Sequence, residues 1–523
     1  MQGLENSRNF VLIYLNGKRT EVRGSDVFLN LSDYLRLNRQ LTGTKVVCAE
    51  GDCGACTVLR AFPKGDTDEV TLESINSCII RVAQMDGSSL VTVEGLGAPY
   101  ENRIHPVQRA MIQCHGSQCG FCTPGFVGSM VAYFETHTQA DTQKIKNALT
   151  GNLCRCTGYQ PILDAALSVD PKDIRKLSTV YATSEICKDL RMAQTTSVWI
   201  AEGDRAFFAP ATESDILWGF QKYPRSTILA GGTDLGVGYN KGRLDPKVFL
   251  SLHLMSALYE MTTSSEGRVR VGARVTLSEL RKEIRKQAPE VASFLDIFAS
   301  PQIKNFATLV GNIANASPIA DTPPLLFALN GQLEIFSAQK STRRKIPFEK
   351  FNLEYKKTQL QEGEIIWAIE FDLPRPGEKV AFSKTSQRRD LDISCVNSGF
   401  WFKPGAENPL IPAGLRLGVG GVGPIPMRLE ETEKYLINTG VYPETIRQAL
   451  SLAQQEVAPL SDLRGSAKYR RVLLAKFLER FLNQIYVELR EPDIETGPEP
   501  VPAIGELNLP AQPSVNSTGG DSL

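Results

Sequence analysis

The 523 residues are too many for one hydrophobic core, and the length sets an expectation of three to four domains of roughly 150 residues each. With 58 basic against 58 acidic side chains, 42% hydrophobic and 22% charged residues, the chain carries no net field to draw DNA or an anionic membrane. No run approaches the ~18 apolar residues of a membrane span, and the start MQGLENSRNF lacks the basic-then-apolar order of a signal peptide, so the expectation is a cytoplasmic protein with no nucleic-acid or membrane partner.

In chain order, the apolar run Phe10 to Leu15, then Asn16-Gly17, then apolar alternation to Val22 predicts a hairpin, because Asn-Gly tolerates positive φ at both turn positions. Asp33 to Leu41 reads as helix-like. Cys48 to Cys56, broken by Gly51 and Gly54, fits neither regular helix nor strand and reads as a ligand loop. From Pro106 the spacing of Val107, Met111, Phe126, Met130, Val131 and Phe134 predicts helices flanking a second cysteine loop, in a small helical domain ending near residue 168. Residues 169–205 are polar and poorly periodic and read as an interdomain linker. Strand-like runs with Gly-rich turns extend to about residue 376. A last helix carries Val472, Leu473, Phe477, Leu478, Phe481, Leu482 and Ile485 at helical spacing, read as core. From Glu491 the prolines at 492, 498, 500, 502, 510 and 513 predict a disordered tail.

Nine of the eleven cysteines lie between Cys48 and Cys156, with only Cys187 and Cys395 beyond; the four histidines are His105, His115, His137 and His253. In a reducing compartment such clustering points to thiolate ligation of metal rather than to disulfides. Cys48-x4-Cys53-x2-Cys56, with Cys78 twenty-two residues on, fits the plant-type [2Fe-2S] spacing, a four-thiolate zinc site being the alternative. In the second set five thiols compete for four places. Cys114-x4-Cys119-x2-Cys122 repeats the first spacing, while Cys119-x2-Cys122 can instead join Cys154-x-Cys156 and leave Cys114 as a small buried residue. Spacing favours the two short pairs only modestly.

The stretch Leu229-Ala230-Gly231-Gly232-Thr233-Asp234-Leu235-Gly236 follows an apolar run and offers bare backbone and a hydroxyl to a pyrophosphate. Gly311 to Asp321 is a second loop of small and polar residues; an ordinary tight turn is the alternative for each. Gly418-Val419-Gly420-Gly421-Val422-Gly423 matches GxGxxG, but Pro426 biases Ile425 away from helix where a phosphate-binding helix would begin, so it reads as a turn between strands.

His115-Gly116-Ser117-Gln118-Cys119-Gly120-Phe121-Cys122-Thr123-Pro124-Gly125 and Gly151-Asn152-Leu153-Cys154-Arg155-Cys156-Thr157-Gly158-Tyr159 resemble the second iron-sulfur domain of the molybdenum hydroxylase family. The resemblance implies Cys119, Cys122, Cys154 and Cys156 as ligands and a structural Cys114. It places Gln118 where the family's glutamine approaches the molybdopterin cofactor, a loop-capping amide being the alternative. The first cysteine set resembles the family's ferredoxin-like module, with ligands Cys48, Cys53, Cys56 and Cys78. The two glycine-containing loops together resemble its FAD-binding loops. This implies cofactor contacts at Leu229, Ala230, Gly231, Gly232, Thr233, Asp234, Leu235 and Gly236, an aromatic over the isoalloxazine at Phe298, nucleotide-loop contacts at Thr308, Asn312, Ser317 and Asp321, and further FAD contacts at Ile366 and Lys384. Residues 384–393 match the stretch at the flavin edge where NAD arrives, and Ser466 to Arg470 resembles a motif of the family's last domain. Two departures stand out: Val310 replaces the first glycine of a GGN turn, which would stiffen that loop, and Leu391 stands where some members place an acidic residue near flavin N5, which leaves the acceptor preference open.

Over residues 8 to 488 the order resembles that of the small subunit of two-subunit xanthine dehydrogenases, within that family. The implied fold is a multidomain α+β protein. It comprises a β-grasp ferredoxin-like domain at 8–95, a helical [2Fe-2S] domain at 96–168, the linker 169–205, a vanillyl-alcohol-oxidase-like FAD domain at 206–376, an α+β flavoprotein C-terminal domain at 378–488 and the tail 489–523. The implied function is an electron relay with no catalytic residue of its own, holding two [2Fe-2S] clusters and FAD, with NAD as acceptor. Purine hydroxylation and the molybdenum cofactor would belong to a large partner subunit, in a heterotetramer. The cofactors supply the redox chemistry and the protein their spacing and potential. A standalone NADH-linked diaphorase and a zinc-stabilised scaffold are the alternatives.

Overall fold

The computed structural model describes residues 7–65 and 70–490; the tail from residue 491 lies outside the described residues. Strands β1 (Val11–Leu15) and β2 (Lys18–Val22) pair antiparallel around Asn16 and Gly17, at φ 48° and 81°. With β3 (Thr57–Ala61), β4 (Glu73–Asn76) and β5 (Ser88–Val91) they form a sheet of order β2-β1-β5-β3-β4. Here β1 and β5 run parallel and the other pairs antiparallel, the mixed sheet of a β-grasp. The helix-like stretch shrinks to one turn at Leu31–Asp33 and a wider turn at Tyr34–Asn38.

Helices Pro106–Gln113, Thr123–Thr136, Thr142–Leu149 and Gln160–Ser168 follow. Val107, Met111, Phe126, Met130, Val131 and Phe134 meet in their common core, so the apolar spacing carries this unit. Residues 169–205 do not behave as a loose connector. Thr183 caps a helix, Ser184–Gln194, that buries Cys187, Leu190 and Ala193. Leu190 and Ala193 pack against Leu12 on the outer side of β1. That stripe is one residue wide among polar neighbours, which is why the segment looks aperiodic.

Strands β6 (Val198–Glu202), β7 (Arg205–Ala209), β8 (Thr227–Leu229) and β9 (Val248–Ser251) form a sheet of order β6-β7-β9-β8 that opens inside the expected linker. A second sheet comprises β10 (Met261–Thr263), β11 (Arg268–Gly272), β12 (Gln332–Ser337) and β13 (Thr342–Pro347). After a small hairpin of β14 (Asn352–Glu354) and β15 (Lys357–Thr358), β16 (Glu364–Asp372) returns to its centre, giving order β10-β11-β16-β12-β13. One continuous apolar core joins Ile13, Val58 and Ile75 of the first sheet to Phe207, Leu229, Phe249 and Phe306. The β-grasp is therefore fused to the segment carrying the first glycine loop.

The last part is an antiparallel sheet of β17 (Lys379–Thr385), β18 (Val396–Pro404), β19 (Pro412–Gly420) and β20 (Met427–Arg428), with helices Glu430–Thr439, Pro443–Glu456 and Ala467–Leu489. Gly418 and Gly420 lie in β19 and Gly421 begins the turn to β20, so no helix follows the GxGxxG sequence. On the final helix Leu474, Leu478, Phe481, Leu482 and Ile485 are buried, Leu473 and Phe477 partly so, and Val472 is 45% exposed. The expected stripe is thus rotated: steps of three and four from Leu474 put Val472 on the outer face. Among the described residues no helix is long and apolar enough to cross a membrane.

Candidate cofactor sites

The Cys48–Cys56 loop leads into β3, and its backbone enters the left-handed region at Ala49, Gly51 and Gly54. This curls the loop so that Cys48 touches Cys53 and Cys78, and Cys78 touches Cys56. The amides of Glu50 and Cys53 donate to Cys48 Sγ at 3.5 and 3.4 Å, and Asn76 Nδ2 donates to Cys56 Sγ at 3.7 Å. Hydrogen bonds from Cys53 and Cys78 hold the Cys48 and Cys56 thiols below their usual range, while the donors are pushed up.

In the helical unit, Cys119 and Cys122 precede helix Thr123–Thr136, and Cys154 and Cys156 precede helix Gln160–Ser168. The Cys156 thiol donates to Cys119 Sγ at 3.5 Å, and Cys122, pushed up to about 12 by burial, bonds Cys154. Against the upward push of burial, Cys154 is held down by the Thr157 hydroxyl. The structure thus gathers Cys119, Cys122, Cys154 and Cys156, whereas Cys114 Sγ turns to Ser168 Oγ at 3.7 Å. Gln118 is exposed beside them. Among the described residues no three His, Cys, Asp or Glu side chains close around one point as a single ion requires. The sulfurs are strung out as Cys53–Cys48–Cys78–Cys56 and as the pairs Cys119–Cys156 and Cys122–Cys154. Four thiols with N–H donors aimed at sulfur suit a two-iron cluster, in which each iron takes two thiolates.

The first glycine loop runs from Leu229, the end of β8, through Ala230 and Gly231 to Gly232, whose φ of +71° starts helix Thr233–Asn240. Thr233, Asp234, Leu235 and Gly236 form its first turn. The loop is pinned to the β-grasp: Gln84 Nε2 donates to Gly231 O at 3.0 Å, and a Cβ on Gly236 would lie 1.9 Å from Ile79 O. At the end of the same helix Asn240 Nδ2 donates to Ala49 O at 2.8 Å and Cys78 O at 2.7 Å. Because Asn240 lies 191 residues from Ala49 and 162 from Cys78 in the chain, this contact leaves no local sequence signal.

The second loop meets the first, since a Cβ on Gly231 would lie 2.3 Å from Phe306 O and one on Gly311 3.9 Å from Ala230 Cβ. Thr308 caps helix Leu309–Ala314 through its hydroxyl, which accepts from Gly311 N at 2.9 Å. Val310 therefore lies in a helix, not a turn, and its side chain is buried in the core. Asn312 Oδ1 accepts from the Thr322 hydroxyl at 2.6 Å, and Ser317 O accepts from Ala320 N at 3.2 Å. Asp321 forms a nearly buried ion pair with Lys384 at 2.6 Å and also accepts from Asn397 Nδ2 at 3.1 Å. Phe298 is 9% exposed, and Ile366 is buried within β16, so its side chain belongs to the core. Leu391, at φ +66°, borders with Arg388 and Asp390 a cavity of about 340 Å3 shared with Phe126 and Leu153. Arg388 reaches Asp52 of the first cysteine loop at 3.5 Å.

Three family models match: a [2Fe-2S] binding domain over residues 92–167, the FAD binding domain in molybdopterin dehydrogenase over 202–375, and the CO dehydrogenase flavoprotein C-terminal domain over 381–485. Xanthine dehydrogenase 1 of Arabidopsis thaliana is 29% identical, over 95% of this chain and 42% of its own length. Aldehyde oxidase 1 of Bos taurus is 30% identical, over 92% of this chain and 40% of its own. The chain thus spans about two fifths of the length of these relatives. The carbon monoxide dehydrogenase of Hydrogenophaga pseudoflava, a likeness of fold alone, aligns with a TM-score of 0.50 at 22% identity, covering 54% of this chain and 97% of that one. The three models, which together match more than half of the chain, and relatives aligned along nearly all of it show that the chain belongs to the molybdenum hydroxylases, whose iron-sulfur and FAD-binding electron-transfer domains it carries.

Proposed function

We propose that this chain is the electron-relay part of a xanthine dehydrogenase, accepting electrons from a partner subunit that holds the molybdenum cofactor and oxidises a purine, and delivering them to NAD. Cys48, Cys53, Cys56 and Cys78 would hold one [2Fe-2S] cluster, and Cys119, Cys122, Cys154 and Cys156 the other. The loops at 229–236 and 308–321, with Phe298 and Lys384, would hold FAD. When bound, the clusters supply one-electron carriers and FAD couples them to two-electron hydride chemistry.

The observation that carries this reading is the direct bonding between the three sites. Leu153 N donates to Cys53 O at 3.0 Å, joining the two cysteine loops, and Asn240 ties the helix of the first glycine loop to Ala49 and Cys78. Each loop is held against the next by hydrogen bonds to backbone carbonyls, which a set of independent binding modules would not need. The chain's residues bind and orient, and bury Cys56 and Cys78 away from water.

The test is purification from native extract with metal and flavin analysis. Expected are about four irons per chain, FAD, and a copurifying molybdenum-containing subunit, with xanthine–NAD activity only in the complex. The separated chain should reduce an artificial dye with NADH and not with xanthine. Iron and flavin without any molybdenum partner would instead favour a standalone diaphorase, and zinc without iron would refute the relay.

A further inference from the structure

One buried amide bridges segments beside both cysteine sets from a helix that follows Phe298. Gln302 lies in the short helix Pro301–Lys304, four residues past Phe298, and is 1% exposed. Its Nε2 lies 3.0 Å from Asn152 Oδ1, 3.1 Å from Ser129 Oγ and 3.3 Å from Thr57 Oγ1. The hydroxyl roles are fixed by their other partners. The Thr57 hydroxyl donates to Gly54 O at 2.6 Å and that of Ser129 to Asn152 Oδ1 at 2.7 Å, so both face the amide as acceptors, and its two N–H groups are shared among the three oxygens. Asn152 Nδ2 in turn donates to Gly54 O at 3.2 Å.

These partners sit beside the proposed ligands: Thr57 follows Cys56, Gly54 follows Cys53, and Asn152 is two residues before Cys154. The packing admits no side chain. A Cβ on Gly54 would lie 2.1 Å from Gly151 O, and one on Gly151 would lie 1.9 Å from Gln302 Oε1. That oxygen has no hydrogen-bond partner. A buried acceptor left unpaired costs about 1–3 kcal/mol, comparable to what the N–H bonds of the same amide return, so what the glutamine adds is direction more than net stability.

The flanking residues continue the same task. The Ile303 side chain would lie 3.1 Å from a Cβ on Gly51 of the first cysteine loop. The buried Lys304 ammonium donates to Leu295 O, Asp296 O and Ala299 O, closing the helix end that presents Phe298.

We propose that Gln302 is a positioning residue for electron passage among the bound cofactors: it fixes both cysteine loops at one spacing from the Phe298 side of the flavin site. It touches no cofactor itself, and the proposal rests on the cofactor assignment made above. Buried, directional networks specify one geometry where apolar contacts allow sliding.

The test uses the full chain, with its partner where the complex is obtained. Gln302→Leu and Gln302→Met remove the amide at nearly constant volume. Iron and flavin are measured first. Electrons are then injected by pulse radiolysis, and their equilibration between flavin and clusters is followed by absorbance, which needs neither NAD nor xanthine. The expected result is full cofactor content and unchanged midpoint potentials, with equilibration slowed by about tenfold or more, as small misplacements slow a positioned reaction. In the cofactor-free chain, amide hydrogen exchange should quicken at Leu153 and Thr57 and stay unchanged in β18. Should the Gln302 variants fail to fold, Ser129→Ala, which removes one acceptor and keeps the amide, is read in the same two ways and should show a smaller slowing. Full loading with an unchanged rate overturns the proposal alone; a wild-type chain without iron or flavin overturns the cofactor reading and the proposal with it.

Discussion

Replacing Asn240 by alanine should loosen the first cysteine loop while leaving the second intact. The Asn240 amide donates to Ala49 O at 2.8 Å and to Cys78 O at 2.7 Å, and its oxygen accepts from Asn30 Nδ2 at 2.9 Å. Each lost bond removes about 1 kcal/mol net, and partly buried carbonyls left without a donor add to it, so the junction should weaken by about 3 kcal/mol. At 1.4 kcal/mol per factor of ten, that raises the population of the opened junction by about a hundredfold. Amide hydrogen exchange reads this directly: protection should fall at Cys53 and its neighbours in the 48–56 loop and stay level at 119–123 and 154–157. Chelator-driven loss of the first cluster should quicken in parallel, with the second cluster as the internal control. Asn240→Asp should be worse, since a carboxylate faces two carbonyl oxygens. If exchange in the 48–56 loop were unchanged in Asn240→Ala, the docking of the Thr233–Asn240 helix would not be what holds that loop.

Cys156→Ser should halve the iron content, whereas Cys114→Ser, whose sulfur faces only Ser168, should keep it, as metal analysis and low-temperature electron paramagnetic resonance would show. Gly232→Glu should abolish FAD retention in a flavin fluorescence assay with both clusters kept, because φ at this residue is +71° and the first side-chain carbon already meets Gln84 Nε2 at 2.9 Å. His105 is buried, which lowers its pKa to about 4, and its Nδ1 must stay unprotonated to accept from Val107 N at 3.1 Å. A depressed imidazole leaves the unfolded chain binding more protons between about pH 6.5 and 4. Stability therefore falls as pH drops through that window, by up to about 3 kcal/mol, and levels off below it. In denaturant titrations His105→Asn, which retains a capping oxygen, should flatten that slope.

The local chemistry of this protein was legible in its sequence because it depends on neighbours. Asn16-Gly17 turns a hairpin through its own dihedrals, and Cys48, Cys53 and Cys56 share one loop whatever the rest of the chain does. The helical core follows from the spacing of Val107, Met111, Phe126 and Phe134. Tertiary structure decided what adjacency could not. It brought Cys78 from β4's far end to Cys48, turned Cys114 away to Ser168, and seated Asn240 on a loop 191 residues earlier in the chain. It also set Gln302 against Thr57 across 245 residues. The segment 169–205 reads as a linker for a related reason: the pair Leu190 and Ala193 is too narrow a stripe to register until Leu12 covers it. A sequence states which groups can bond or bury; which of them do so is set when distant surfaces close and exclude water, since only then does an unpaired amide or an uncovered apolar stripe carry a free-energy cost.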